Sequence, residues 1–323
     1  MTNVEGGVPP KFYKEITDPS IHGIPTVLLN RTIATLDEEP GAVRQSTKDH
    51  YRRSKTEILR TANLARKRAP RGEPTSALIL GAGRCNDIPV EDLARSFSRL
   101  TFIEQSSQRT KAVIEQLPPH LQEKITIVTA DLSGVAGKLI TGWQRADEQS
   151  TSPDTFIEAM LDTVASIKNR DQVPEMGTHT FVSSHLILSQ IDDLPYSYAK
   201  TLLDKHRPLR PAELRITTRL HTDLQSAHMQ ALSNSIKPEG IVHFSDTYTC
   251  KRPGEKELTP DIDSDLLHAT RDRLFTSELR GQWNWMTETD SMFGVYSFML
   301  QPRRTELTAL FGNHADTSLF RRH

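Results

Sequence analysis

Cysteine is scarce in this 323-residue chain: only Cys85 and Cys250 occur, 165 positions apart and without CxxC or Cys/His spacing. That excludes a disulfide scaffold and a structural zinc site, and it makes a reducing, cytoplasmic compartment the expectation. Long hydrophobic runs are missing too. No window approaches the ~18 consecutive apolar residues of a membrane span, and the N-terminus lacks the basic-then-apolar pattern of a secretory signal. An excess of one charge is also absent, since 40 Lys and Arg stand against 41 Asp and Glu. A protein built around a nucleic-acid backbone is normally strongly basic, so no nucleic-acid partner is expected. No internal repeat is present. Only 36% of the residues are hydrophobic, yet they gather into strand-length runs such as Ala77 to Leu80, which excludes disorder along the whole chain.

The near-zero net charge conceals one local excess. Between Arg44 and Arg71 there are ten Lys or Arg against Asp49 and Glu57, a local charge of +8 that leaves −9 for the remainder. Residues 42–68 contain no Pro or Gly, and Tyr51, Ile58, Leu59, Ala62 and Ala65 recur at helical spacing. The pattern predicts one long amphipathic helix with a basic outer face. Before it, a density of Pro and Gly over the first forty residues predicts an irregular arm with short pieces of structure.

Strand and helix signals alternate after Pro74. Strands are predicted at Ala77–Leu80, Leu100–Ile103, Ile125–Val128, from Thr180 and at Ile241–Phe244, with helices at Val90–Phe97 and Ser107–Leu117. Residues 141–155, rich in Ser, Thr, Asp, Glu and Gln, read as a solvated loop before a helix at Phe156–Ile167. A mainly helical insertion is expected at 192–236, with a break at Arg207–Pro211. Met292–Leu300 is apolar on both alternating faces and belongs inside a sheet. This order predicts an α/β fold: a doubly wound, mostly parallel Rossmann-like sheet with one late added strand. The domain expectation is residues 1–75 as a cover, 76–302 as the cofactor-binding body and 303–323 as a tail.

Chemistry gathers at the strand ends. Leu78-Ile-Leu-Gly-Ala-Gly-Arg-Cys-Asn-Asp87 is a strand that stops in Gly81-Ala82-Gly83, which lets backbone approach a ligand closely. Glu104 follows Gly83 by 21 residues, where an acid can accept from both hydroxyls of a ribose. Asp131 lies just past the third strand, placed for the amino group of an adenine. A nicotinamide-dinucleotide oxidoreductase is the competing assignment, but its third glycine is replaced by Asn86.

These motifs together resemble the class I S-adenosylmethionine (SAM) dependent methyltransferases. In that family an apolar strand is followed by G-x-G-x-G; here the third glycine position holds Cys85. The resemblance covers about residues 76–302. It implies SAM as cofactor, with Gly81, Ala82, Gly83, Glu104 and Gln105, Asp131 and Leu132, and Ser183 and Ser184 around it. It also implies an antiparallel strand inserted beside the fifth, which Met292–Leu300 suits. Ala227–Phe244 is similar to the family's helix, turn and fifth strand, with Glu239 at the first glycine of the turn.

Methyl transfer is an in-line displacement in which positioning supplies most of the catalysis, and a base is needed only for a protonated acceptor. His185 and Asp246 are the catalytic candidates, His243 and Tyr51 the substrate or lid candidates. Each has a bland alternative: a structural histidine for His185, sheet packing for His243 and a turn residue for Asp246. His221 and His228 are seven apart, ~10.5 Å along a helix axis and too far to share a metal. Asp261, Asp263 and Asp265 read as a solvated turn and helix cap. Trp283 and Trp285 share one face of a strand, as core or as a substrate wall. A small-molecule acceptor is expected. A protein acceptor, or a non-enzymatic protein that uses the basic helix 44–68 as its contact, are the alternatives.

Overall fold

The computed structural model describes residues 11–21, 24, 45–167, 177–187, 191, 193–251, 259–260, 264–286 and 292–303. In chain order the elements are β1 (Lys14–Thr17), α1 (Gln45–Arg68), β2 (Ser76–Leu80), α2 (Val90–Ser96), β3 (Arg99–Glu104), α3 (Gln108–Ile114), α4 (Pro119–Gln122) and β4 (Ile125–Thr129). Then follow α5 (Ala136–Gln149), α6 (Pro153–Ser166), β5 (His179–His185), α7 (Asp193–Leu203), α8 (Pro211–Ser235), β6 (Ile236–Lys251) and β7 (Thr259–Pro260). The last are α9 (Ser264–Leu274), β8 (Phe275–Met286) and β9 (Met292–Pro302).

The strands form one sheet in the order β1-β4-β3-β2-β5-β6-β9-β8, with β7 paired to β6. Every pair from β1 to β6 is parallel, whereas β9 runs antiparallel between β6 and β8. The order reverses at β2 and the late antiparallel strand sits beside β6, which is the sheet that the resemblance implied. The doubly apolar strand lies in the interior as expected. Ala77–Leu80 is apolar at every position because both faces of β2 are covered. Leu78 and Leu80 join Val182, Val242 and Phe244 in a core under Trp143, Phe156, Met160 and Leu224. Ala77 and Ile79 join Phe181, Ile241 and Met299 on the other face, under Ile58, Ala62 and Ala65 of α1.

Two expectations are corrected. Residues 141–149 are helical, because Leu139, Ile140, Trp143 and Ala146 recur at helical spacing and are buried, while the polar residues form the outer face. Trp143 Nε1 donates to the Met160 carbonyl at 3.1 Å and fastens α5 to α6. The fifth parallel strand is far longer than Ile241–Phe244, so Asp246 lies within β6 opposite Tyr296 rather than in a turn. The N-terminal arm supplies an edge strand: β1 pairs with β4, is exposed along its length, and carries Lys14 and Glu15 where an edge needs protection. The helical insertion appears as α7 and α8, with the break between them. Asp261 and Asp263 lie outside the described residues.

Candidate functional site

The turn after β2 stands at the C-terminal edge of the sheet where the strand order reverses, the position at which open α/β sheets bind ligands. Gly81 and Gly83 have φ of +69° and +50°. At Gly81 a Cβ would lie 1.9 Å from Ile187 Cδ1, so glycine alone fits there; at Gly83 a Cβ would meet nothing within 4 Å. Gly83 is thus a bare backbone cradle beside open space. Cys85, at the third glycine position, keeps the left-handed backbone with φ +56° and buries its side chain. Burial first, and the carboxylates of Asp87 and Glu104 after it, push its thiol up to about 12, so it stays protonated.

Glu104 ends β3 against this loop. Its Oε2 accepts from Gly83 N at 2.8 Å and its Oε1 from Gln105 N at 3.0 Å. Thr110 of α3 donates to the Gly83 carbonyl at 3.0 Å, so the Gly83 residue is held from both sides. Burial raises the Glu104 carboxyl above its ordinary value despite these bonds. Asp131 is buried just past β4. Its oxygens accept from Ser133 N at 3.0 Å and Ala136 N at 2.7 Å, which caps the start of α5. Leu132 is buried beside it.

Ser183, Ser184 and His185 are buried on β5 and point alternately to the two faces. Ser184 Oγ pairs with His228 Nε2 of α8 at 2.9 Å. Ser183 Oγ pairs with His243 Nδ1 at 3.1 Å, and the other nitrogen of His243 meets Ser297 Oγ at 3.1 Å. His243 is therefore a satisfied core histidine; burial, and the neighbouring His185, lower its pKa to about 3. Asp246 is fully buried and accepts from Thr247 N at 2.8 Å.

His185 belongs to a cluster that no spacing in the sequence announces. His50 of α1 stacks on it with ring centroids 5.8 Å apart, and Asp87 Oδ2 lies 2.6 Å from His185 Nε2. The other nitrogen of His185 bonds Ser245 Oγ on β6. Trp283 of β8 donates from Nε1 to His50 Nδ1 at 2.9 Å. Burial of Asp87 favours its neutral form, but the adjacent His185 outweighs that and holds the carboxyl below its ordinary value. Burial lowers His50 to about 3, so that ring is neutral. Tyr51 faces outward from the same helix turn and lines an open groove with Lys48, Arg52, Lys55 and Asn86. Among the described residues, no helix is long and apolar enough to cross a membrane.

No protein-family model matches the chain, and no curated protein matches it. Solved structures do. The magnesium protoporphyrin IX methyltransferase of Synechocystis PCC 6803, solved with bound SAM, is 11% identical over 87% of this chain and 93% of its own, with a TM-score of 0.39. An O-methyltransferase family protein from Burkholderia thailandensis is 10% identical over 86% of this chain and 68% of its own, at 0.38. The [4+2]-cyclase SpnF is 10% identical over 91% of this chain and 99% of its own, at 0.39. At these scores the likeness decides nothing about activity. The strand order and the site geometry are the firmer ground.

Proposed function

We propose that this protein is a SAM-dependent methyltransferase acting on a small-molecule acceptor in the cytoplasm. The carrying observation is the Gly81–Gly83 turn at the reversal point of the sheet, where backbone left bare by glycine meets the Glu104 carboxylate. The residues fit the cofactor: Gly81, Ala82 and Gly83 offer backbone, Glu104 and Gln105 the ribose side, and Leu132 with the Asp131 turn the adenine side. SAM supplies an electrophilic methyl group on a sulfonium. The chain's own residues hold the ligand, exclude water and orient the acceptor, which is where most of the rate of a displacement comes from. Ser183 and Ser184 support the floor of the site by fixing His243 and His228.

A small acceptor is favoured because the polar cluster at the end of β5 lies under α1, with His50 and His185 only 1% and 2% exposed. Residues 1–75 then act as cover over the body formed by 76–302. Cys85 and Cys250 are free and buried, which suits a reducing compartment. Calorimetry with SAM tests the assignment. Saturable binding that weakens at least about tenfold in Glu104→Ala, roughly 1.4 kcal/mol, is expected; absence of binding, or an unchanged affinity in the variant, sinks it.

A further inference from the structure

One ring nitrogen each from His50 and His185 and a carboxylate oxygen of Asp87 lie within 4.8 Å of one another. Two imidazoles and a carboxylate are also a common donor set for a divalent metal, so the protons must be placed before the cluster has a chemical meaning. Trp283 places one of them. An indole N–H can only donate, and its bond ends on His50 Nδ1. Nδ1 is then the lone-pair nitrogen, and the hydrogen of this neutral ring sits on Nε2, which faces Asp87 Oδ2 at 3.9 Å. A nitrogen that carries its hydrogen is no metal ligand. His185 has both nitrogens engaged, one at Asp87 and one at Ser245.

The cluster is thus a carboxylate set between two imidazoles. Its members differ in access: the Asp87 side chain is 16% exposed, against 1% and 2% for His50 and His185. Asp87 also closes the loop that begins at Gly81, six residues earlier. Of the three side chains, Asp87 is therefore the one that an incoming molecule can reach.

We propose that Asp87 binds the methyl acceptor through a hydrogen that the acceptor carries on nitrogen or oxygen, with His185, His50 and Trp283 as positioning residues that keep the carboxylate aimed. The word methyl here rests on the function proposed above; the hydrogen-donor site does not. The acceptor's lone pair forms the bond to carbon, the electrons of the carbon–sulfur bond stay on sulfur, and the N–H or O–H proton passes to an Asp87 oxygen. A thioether brings no such hydrogen and leaves a desolvated carboxylate against an apolar group, which discriminates against it.

The test uses the full chain with ring-15N-labelled histidine and three probes of similar size: benzylamine, benzyl alcohol and thioanisole. The two hydrogen donors should shift the His50 and His185 ring signals saturably, thioanisole should not, and Asp87→Asn should weaken the response at least tenfold, with partial recovery in Asp87→Glu. In the unliganded protein His50 should show the single Nε2–H form, and Trp283→Phe should convert it to a mixture of tautomers. The proposal is overturned if thioanisole matches the donors, if neither donor shifts the rings, if Asp87→Asn responds like wild type, or if added Zn2+ replaces the His50 Nε2 hydrogen. Failure of SAM to bind in calorimetry would remove methyl transfer and leave the probe results standing, so the two failures are distinguishable.

Discussion

The two halves of α1 are buried by different chemistry. Toward its C-terminus Ile58, Ala62 and Ala65 sit on Ala77, Ile79, Phe181 and Ile241, a mainly apolar seam in which the one buried hydroxyl, Thr61, donates to the helix's own Glu57 carbonyl. Toward its N-terminus the buried positions are Thr47, His50 and Ser54, near a part of the sheet that presents His185, His243, Ser245 and Ser297. The change occurs within one helix whose apolar seam would cost less to build throughout, since a buried polar group needs a partner to avoid a desolvation penalty. The polar half lies at the strand ends, the edge at which open α/β sheets bind ligands. A helix that anchors with one half and lines a site with the other is the simplest account of the switch.

Lowering the pH should break the polar half first and with the largest effect. His50 and His243 in this half, and His228 of α8 on the opposite face of the sheet, are held neutral in the fold, at about 3, 3 and 4, whereas an unfolded histidine titrates near 6.5. The unfolded chain therefore binds more protons below pH ~6.5, and stability is lost as pH falls from there toward the folded values. For three such groups the loss between pH 7 and pH 5 is on the order of 5 kcal/mol. Urea unfolding at the two pH values measures it, and a flat stability over that range would show that these rings are not buried neutral. His50→Gln should remove about a third of the slope.

In the apolar half, Ile58→Ala should cost about 2–5 kcal/mol by leaving a cavity under a fully buried side chain, and should leave the pH slope unchanged. Trp283→Phe comes next at about 1–3 kcal/mol, because it leaves His50 Nδ1 buried without its donor. The smallest effect sharpens the comparison most. Ser54 is fully buried and its Oγ has no hydrogen-bond partner among the described residues, so Ser54→Ala should be neutral or stabilising by up to about 1 kcal/mol in thermal melts. A large loss there would mean that even this hydroxyl has a polar task.

The parts of the site that could be read from the sequence are those whose signal is local. Gly81 and Gly83 follow an apolar run directly, and Glu104 stands one strand later at an offset fixed by the length of a βαβ unit. Asp87 was in plain view in the same loop but carries no role without its partner, 98 residues away. His50, Ser245 and Trp283 meet only because three elements converge on one sheet face, and nothing in their spacing records that. Composition misled at residues 141–149, where an outer face rich in Arg, Asp, Glu and Gln outweighed the buried stripe of α5, of which Trp143 and Ala146 fall in this stretch. The departure at Cys85 proved smaller in the backbone than in the alphabet of the motif, since the residue keeps the φ that glycine would have had.

The bond between Trp283 and His50 spans 233 residues, and the other strands that α1 packs on, β5 and β6, also follow it in the chain. During synthesis at about 5–20 residues per second, α1 emerges roughly 10–50 s before Trp283. For that interval its basic face is in water and its buried stripe has no complete seat. The helix made early is thus among the pieces seated last, and the polar pocket it covers is closed only when the chain is nearly finished.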